Sequence, residues 1–156
     1  MMGTDKVKAL DRMMRLCSMG EQCRKDICGK LEKCGLEERD IQEMLEKLIA
    51  GGYIDEKRYA GAFVHDKSEL QGWGAAKIRM ALQRKGIQNE DIVEALSHID
   101  GDSAGKKLRQ MMQAKWEALE KETDPLKKQA KLFRFAAGRG YDYSQIKKIY
   151  DTFRTA

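Results

Sequence analysis

The stretch Leu48–Ile99, LIAGGYIDEKRYAGAFVHDKSELQGWGAAKIRMALQRKGIQNEDIVEALSHI, decides the fold. Gly51-Gly52 ends one amphipathic helix, and Asp55 stands as the N-cap of the next, which carries Tyr59, Ala60, Phe63 and Val64. Gln71-Gly72-Trp73-Gly74 breaks the pattern. A basic helix with Ile78 and Leu82 follows and stops at Lys85-Gly86, since a glycine suits the left-handed turn after a helix. Asn89 is then expected to cap a helix carrying Ile92, Val93, Leu96 and Ile99.

The second half of this stretch recurs on both sides. A shift of 51 lays Ile27, Leu31, Gly35, Leu36, Ile41, Leu45 and Leu48 on Ile78, Leu82, Gly86, Ile87, Ile92, Leu96 and Ile99. A further shift of 54 lays those on Leu132, Ala136, Gly140, Tyr141, Ile146, Tyr150 and Phe153. Helical periodicity alone matches a few apolar positions, but not a glycine followed by an apolar residue at the same phase three times. The expected fold is therefore all-α: three tandem three-helix, helix-turn-helix-like repeats over residues 5–55, 55–101 and 102–156. They are expected to form an elongated, curved array in which each unit buries its stripe against its neighbours.

The other helices follow from the same signals. Val7–Met19 reads as the first, with Thr4 or Asp5 as cap. The second runs from Cys23 to Cys34 with Gly35 after it, and the third carries Ile41, Met44, Leu45, Leu48 and Ile49. Asp102 or Ser103 opens a long helix through Leu108, Met111, Met112, Trp116 and Leu119. Asp124-Pro125 is the clearest helix start in the chain. Asp142 or Ser144 begins the last helix.

Composition agrees. The 156 residues are 42% hydrophobic and 35% charged, which allows a real core, and a single proline leaves long helices uninterrupted. No apolar run nears the roughly 20 residues that span a bilayer, and the first residues lack the apolar core of a signal peptide. A cytoplasmic protein, off the membrane, is expected. Cys17, Cys23, Cys28 and Cys34 form no C-x-x-C pair and have no histidine nearby, which favours structural thiols over a metal or redox site. No metal ligands and no cofactor are expected.

Catalytic chemistry finds no support. His65 and Asp66 are neighbours on a helix and point about 100° apart, so they cannot act as base and orienter. Gly72-Trp73-Gly74 lacks the phosphate-loop pattern, and Trp73 either covers the core or stacks on a base or partner side chain. The acidic third-helix starts, Glu37-Glu38-Arg39-Asp40 and Gln88-Asn89-Glu90-Asp91, argue against major-groove reading.

Charge says more. Residues 1–55 carry 10 basic and 11 acidic side chains, residues 56–100 seven of each, and residues 101–156 carry 13 and seven. The excess sits in the last third, which suits a polyanion or an acidic protein surface. Lys77, Arg79, Arg84 and Lys85 leave the apolar face of the fifth helix, and Lys127, Lys128, Lys131 and Arg134 that of the eighth. These are equivalent helices, so a basic strip is expected, although solvation of a helix face accounts for any one such residue.

The central stretch resembles the RecX family of recombination regulators. The resembling residues are Leu48-Ile49, Gly52-Tyr53-Ile54-Asp55-Glu56, Arg58-Tyr59-Ala60, Phe63-Val64, Gly72-Trp73-Gly74, Lys77-Ile78-Arg79, Leu82, Lys85-Gly86-Ile87, Ile92 and Ala95-Leu96. Arg139-Gly140-Tyr141 and Ile146 resemble the family's closing segment. The resemblance implies tandem three-helix repeats. It also implies a regulator with no enzyme activity, acting in recombination, repair and the SOS response. Such a protein binds the RecA recombinase filament on DNA and limits its ATPase and strand-exchange activities. The filament is the expected partner, with single- or double-stranded DNA beside it and the chain itself a monomer. Arg58, Lys77, Arg79, Arg84 and Lys85 are the candidate contacts within the resembling region, and charge alone adds Lys127, Lys128, Lys131 and Arg134. The rival is a general DNA-binding helical repeat protein that needs no recombinase.

Overall fold

The structure, a computed structural model, describes residues 2–155 and the side chains of residues 5–153. It is all-α: α1 (Met2–Met19), α2 (Arg24–Lys33), α3 (Glu38–Ala50), α4 (Glu56–His65), α5 (Ala75–Arg84), α6 (Asn89–Leu96), α7 (Gly101–Ala118), α8 (Pro125–Gly138) and α9 (Tyr143–Thr155). A π-helical turn, Asp66–Leu70, continues α4, and there is no strand among the described residues.

Several helix starts differ from expectation. α1 begins at Met2, so Asp5 lies in its first turn, where a carboxylate suits the helix dipole, rather than at a cap. The Thr4 side chain lies outside the described residues. Asn89 is the first residue of α6 instead of its cap. The cap of α7 is Asp100, whose carboxylate accepts from the Asp102 amide at 3.1 Å. At α7 the cause is competition between adjacent polar residues, Asp100 taking the cap in place of Asp102 or Ser103. Elsewhere the signals hold. Asp124 accepts from Leu126 N ahead of Pro125, and Asp142 accepts from Gln145 N at 2.8 Å ahead of α9.

The chain divides into two compact units. One comprises Met1–Ala62 with Leu82–Ala95, the other Phe63–Ala81 with Leu96–Ala156. The core of the first centres on Met13, Ile27, Leu31, Leu45, Leu48 and Ile54, all at most 2% exposed. That of the second centres on Leu108, Met112, Leu132, Ala136 and Ile146, with a ring cluster in which Tyr150 meets Trp116 and Phe133 at 5.8 and 5.2 Å. Most of the apolar positions that repeat in sequence are buried, while Leu36, Leu96, Ile99 and Phe153 are half-buried. Ile27, Ile78 and Leu132 are fully enclosed, and Gly35, Gly86 and Gly140 all take a left-handed φ of 76–99°.

Both units contain the same kind of helix-end junction, built from different chemistry. In the first, the opening turn of α2 meets the closing turn of α5. Lys25 Nζ donates to the carbonyl of Arg84 at 2.8 Å, and Lys85 Nζ lies 3.0 Å from both carboxylate oxygens of Asp26. In the second, the opening turn of α5 meets the turn after α8. Gly74 N donates to Arg139 O at 2.7 Å, Ala76 N to Gly140 O at 3.1 Å, and the Tyr141 hydroxyl to Gly72 O at 2.9 Å. A Cβ on Gly74 would collide with the Gly140 carbonyl, so glycine alone permits that approach. The resembling segments Gly72-Trp73-Gly74 and Arg139-Gly140-Tyr141 are two halves of one joint.

Candidate partner and nucleic-acid surface

The four cysteines are free thiols. Burial pushes the thiols of Cys17, Cys23 and Cys28 above their ordinary range, which keeps them protonated and poorly nucleophilic at neutral pH. Among the described residues no cluster of His, Cys, Asp and Glu is placed to hold a metal ion, and no helix is long and apolar enough to cross a membrane. What the surface offers is cations.

The nine candidate cations fall into three groups. Arg58, Lys85 and Lys131 are ion-paired. Arg58 starts from the Asp55 cap, which accepts its amide at 3.0 Å, and its guanidinium reaches Glu21 and the Gly52 carbonyl. It ties the α1–α2 loop to the glycine turn after α3, and the Glu21 carboxylate raises its already high pKa. Lys85 is held by Asp26, and Lys131 reaches Glu122 at 2.7 Å.

Two lysines lie on tryptophans. Lys77 Nζ stands 4.1 Å from the Trp73 ring centre, which Lys67 also approaches at 4.8 Å. Lys128 Nζ stands 3.8 Å from Trp116. All five residues are half-buried, with the lysine stems laid along apolar surface. An ammonium over an aromatic face contributes about 0.5–1 kcal/mol where exposed. Trp73 also meets Phe63 edge to face at 6.4 Å. It therefore sits partly against the core and partly beneath cations, between the two alternatives its sequence left open.

Arg79, Arg84, Lys127 and Arg134 are exposed, and none has an ion pair among the described residues. In the second unit, Lys127, Lys131 and Arg134 follow at spacings of four and three and share one face of α8. That unit carries 16 basic and 10 acidic residues, against 14 and 15 in the first.

Sequence reasoning missed a second cationic group in this unit. A cleft of about 540 Å³ between α7 and α9 is lined by Lys106, Arg109 and Lys148, with Gln145 and Thr152. The available signal was the i, i+3 spacing of Lys106 and Arg109 beside the glycines that open α7. It gave no hint that Lys148, from another helix, completes the group.

The second three-helix domain of RecX matches residues 55–96, and the third matches residues 106–150. Regulatory protein RecX of Chlorobium phaeobacteroides is 37% identical over 151 residues, 97% of each chain. Regulatory protein RecX of Clostridium botulinum is 32% identical over 144 residues, 92% of this chain and 67% of that protein. The crystal structure of RecX from Lactobacillus salivarius superposes with a TM-score of 0.82 over 99% of both chains at 22% identity, a likeness of fold. With two of its three-helix segments matched and 97% of its length aligned to such a relative, this chain belongs to the RecX family.

Proposed function

We propose that the chain is a regulator without enzyme activity that binds a RecA recombinase filament on DNA and restrains its ATPase and strand-exchange activities. One observation carries this reading: the similarity to a protein named Regulatory protein RecX runs through 97% of the chain. The repeats over 5–55, 55–101 and 102–156 would act as one cytoplasmic monomer in recombination, repair and the SOS response.

Contacts are assigned first to Arg79, Arg84, Lys127 and Arg134, which are exposed and unpaired among the described residues. Arg58, Lys77, Lys85, Lys128 and Lys131 already hold partners within the chain. Each would have to exchange one contact for another, so their share of the binding energy is smaller.

The test is hydrolysis of ATP by the recombinase on single-stranded DNA, followed while this protein is titrated in. Inhibition reaching a plateau at stoichiometric amounts supports the reading, and an unchanged rate overturns it. A second reading, DNA binding with no recombinase partner, draws on the positive charge of the second unit. It would show as binding to naked DNA with a steep salt slope and no effect on ATP hydrolysis.

A further inference from the structure

We propose that the cleft between α7 and α9 holds the phosphate backbone of a nucleic-acid strand. This deepens the reading above and rests on its nucleic-acid part: it names where a strand would lie, apart from the α8 face.

Three cations from two helices converge there. Lys106 and Arg109 come from one face of α7, and Lys148 from α9. All three are exposed, and among the described residues neither Lys106 nor Lys148 has a carboxylate partner. Arg109 is held in place by a neutral group, its Nη1 donating to Thr152 Oγ1 at 3.0 Å, so its charge stays uncompensated while its direction is fixed. The Thr152 hydroxyl is spent on Arg109 and on the Ile149 carbonyl, but Gln145, whose side-chain oxygen accepts from the Asp142 amide, carries an NH2 of the kind that contacts phosphate oxygens beside Lys and Arg.

The walls suit a backbone more than a protein side chain. Leu108 and Ile149, the large apolar residues of the lining, are buried, so neither stands out into the cleft as a docking edge. Gly101 and Gly105 leave one side of α7 bare, and a Cβ at either would meet nothing in this chain. Internal packing therefore does not require glycine at position 105, where it costs about 1 kcal/mol relative to alanine inside a helix. A strand lying close against the helix would make use of the space. Among the described residues that line the cleft, the one carboxylate is Asp102, at the helix start and beside the Asp100 cap. That leaves the Lys106–Arg109–Lys148 end for the phosphates.

The experiment measures binding of a fluorescein-labelled oligothymidylate to the full chain by anisotropy across a salt series, without recombinase. The Lys106→Gln/Lys148→Gln variant should bind at least fivefold more weakly than wild type. Its log affinity against log salt should be shallower by about 1.4, the single-strand increment for two lost phosphate contacts. Arg109→Gln should weaken binding in the same direction. Circular dichroism should match wild type throughout, because these side chains are exposed. Unchanged affinity and slope overturn the proposal, as does a wild type that binds no oligonucleotide at low salt. So does a variant that keeps the oligonucleotide but loses an acidic polypeptide such as polyglutamate. Inhibition of recombinase ATP hydrolysis, measured in parallel, reports separately on the proposed function. A failure there with intact oligonucleotide behaviour counts against that reading and not against the cleft.

Discussion

Gly74 gives its backbone amide to the carbonyl of Arg139, and the main chain at Gly74 lies too close to Gly140 for any side chain to fit between them. The N-terminal amides of a helix have no partners within it. Here the first turn of α5 takes its acceptors from the turn that closes α8. Gly74→Ala is expected to force the two backbones apart and destabilise the protein by about 2 kcal/mol or more, within the range for overpacking plus a lost hydrogen bond. Urea unfolding measures it, and a midpoint equal to wild type would contradict the steric argument.

The junction between α2 and α5 should respond differently, because side chains make it. The Lys85–Asp26 pair is about one-third exposed on each side, so screening limits it to at most about 1 kcal/mol. Asp26→Asn should cost most of that at low ionic strength and little in 0.5 M salt. The cost of Gly74→Ala should be the same in both. A salt-independent Asp26→Asn effect would assign the residue some role other than pairing with Lys85.

The α8 face gives a clean functional test. Charge reversal at Lys128 and Lys131 would also disturb the Trp116 ring contact and the Glu122 ion pair. Lys127→Glu/Arg134→Glu avoids both. It should raise the concentration needed to inhibit recombinase ATP hydrolysis at least fivefold while leaving the thermal midpoint within about 2 °C, as exposed substitutions do. Equal inhibition would remove this face from the interface.

The two tryptophans each lie under a lysine, so their emission should report what those lysines do. In a Trp73→Phe background, Trp116 is the sole reporter, and Lys128→Ala should change its intensity. If a partner draws Lys128 away from the ring, binding should change the signal in the same direction. A binding event measured independently with no change in Trp116 emission would place Lys128 outside the contact.

Asp142 carries a pH prediction. Its carboxylate accepts from the Gln145 amide and the Ser144 hydroxyl, and these bonds hold its pKa below the ordinary range. A depressed folded-state pKa contributes stability that is present above the unfolded value near 3.9 and lost as pH falls through the folded one. Asp142→Ala should therefore cost about 1 kcal/mol at pH 7, the usual worth of an N-cap. The gap from wild type should narrow below pH 4. A constant gap between pH 7 and pH 3 would mean that the charge is irrelevant to the cap.

The nine helices among the described residues and the threefold phase of Ile27, Ile78 and Leu132 were legible in the sequence, because burial of one helical face imposes a period of 3.6. The π turn after His65 was not, since it adds residues to a turn without changing their type. For the cations, residue type gave the charge but not the company each one keeps. Arg58 meets Glu21 across 37 positions and Lys85 meets Asp26 across 59. Only the fold brings such pairs together, as it brings Lys148 to Lys106. Gly72-Trp73-Gly74 was visible as a motif, but its reason lay at the other end of the chain, in Gly140.

That distance has a consequence for how the protein is made. A chain leaving the ribosome exposes the start of α5 while the acceptors at Arg139 and Gly140 are still some 65 residues from being synthesised. Until then the amides of Gly74 and Ala76 must be satisfied by water, and the first turn of α5 frays. The second unit therefore completes itself only once residues 139 and 140 have been made, and loss of α8 and α9 should leave α5 frayed at its start though its own sequence is intact.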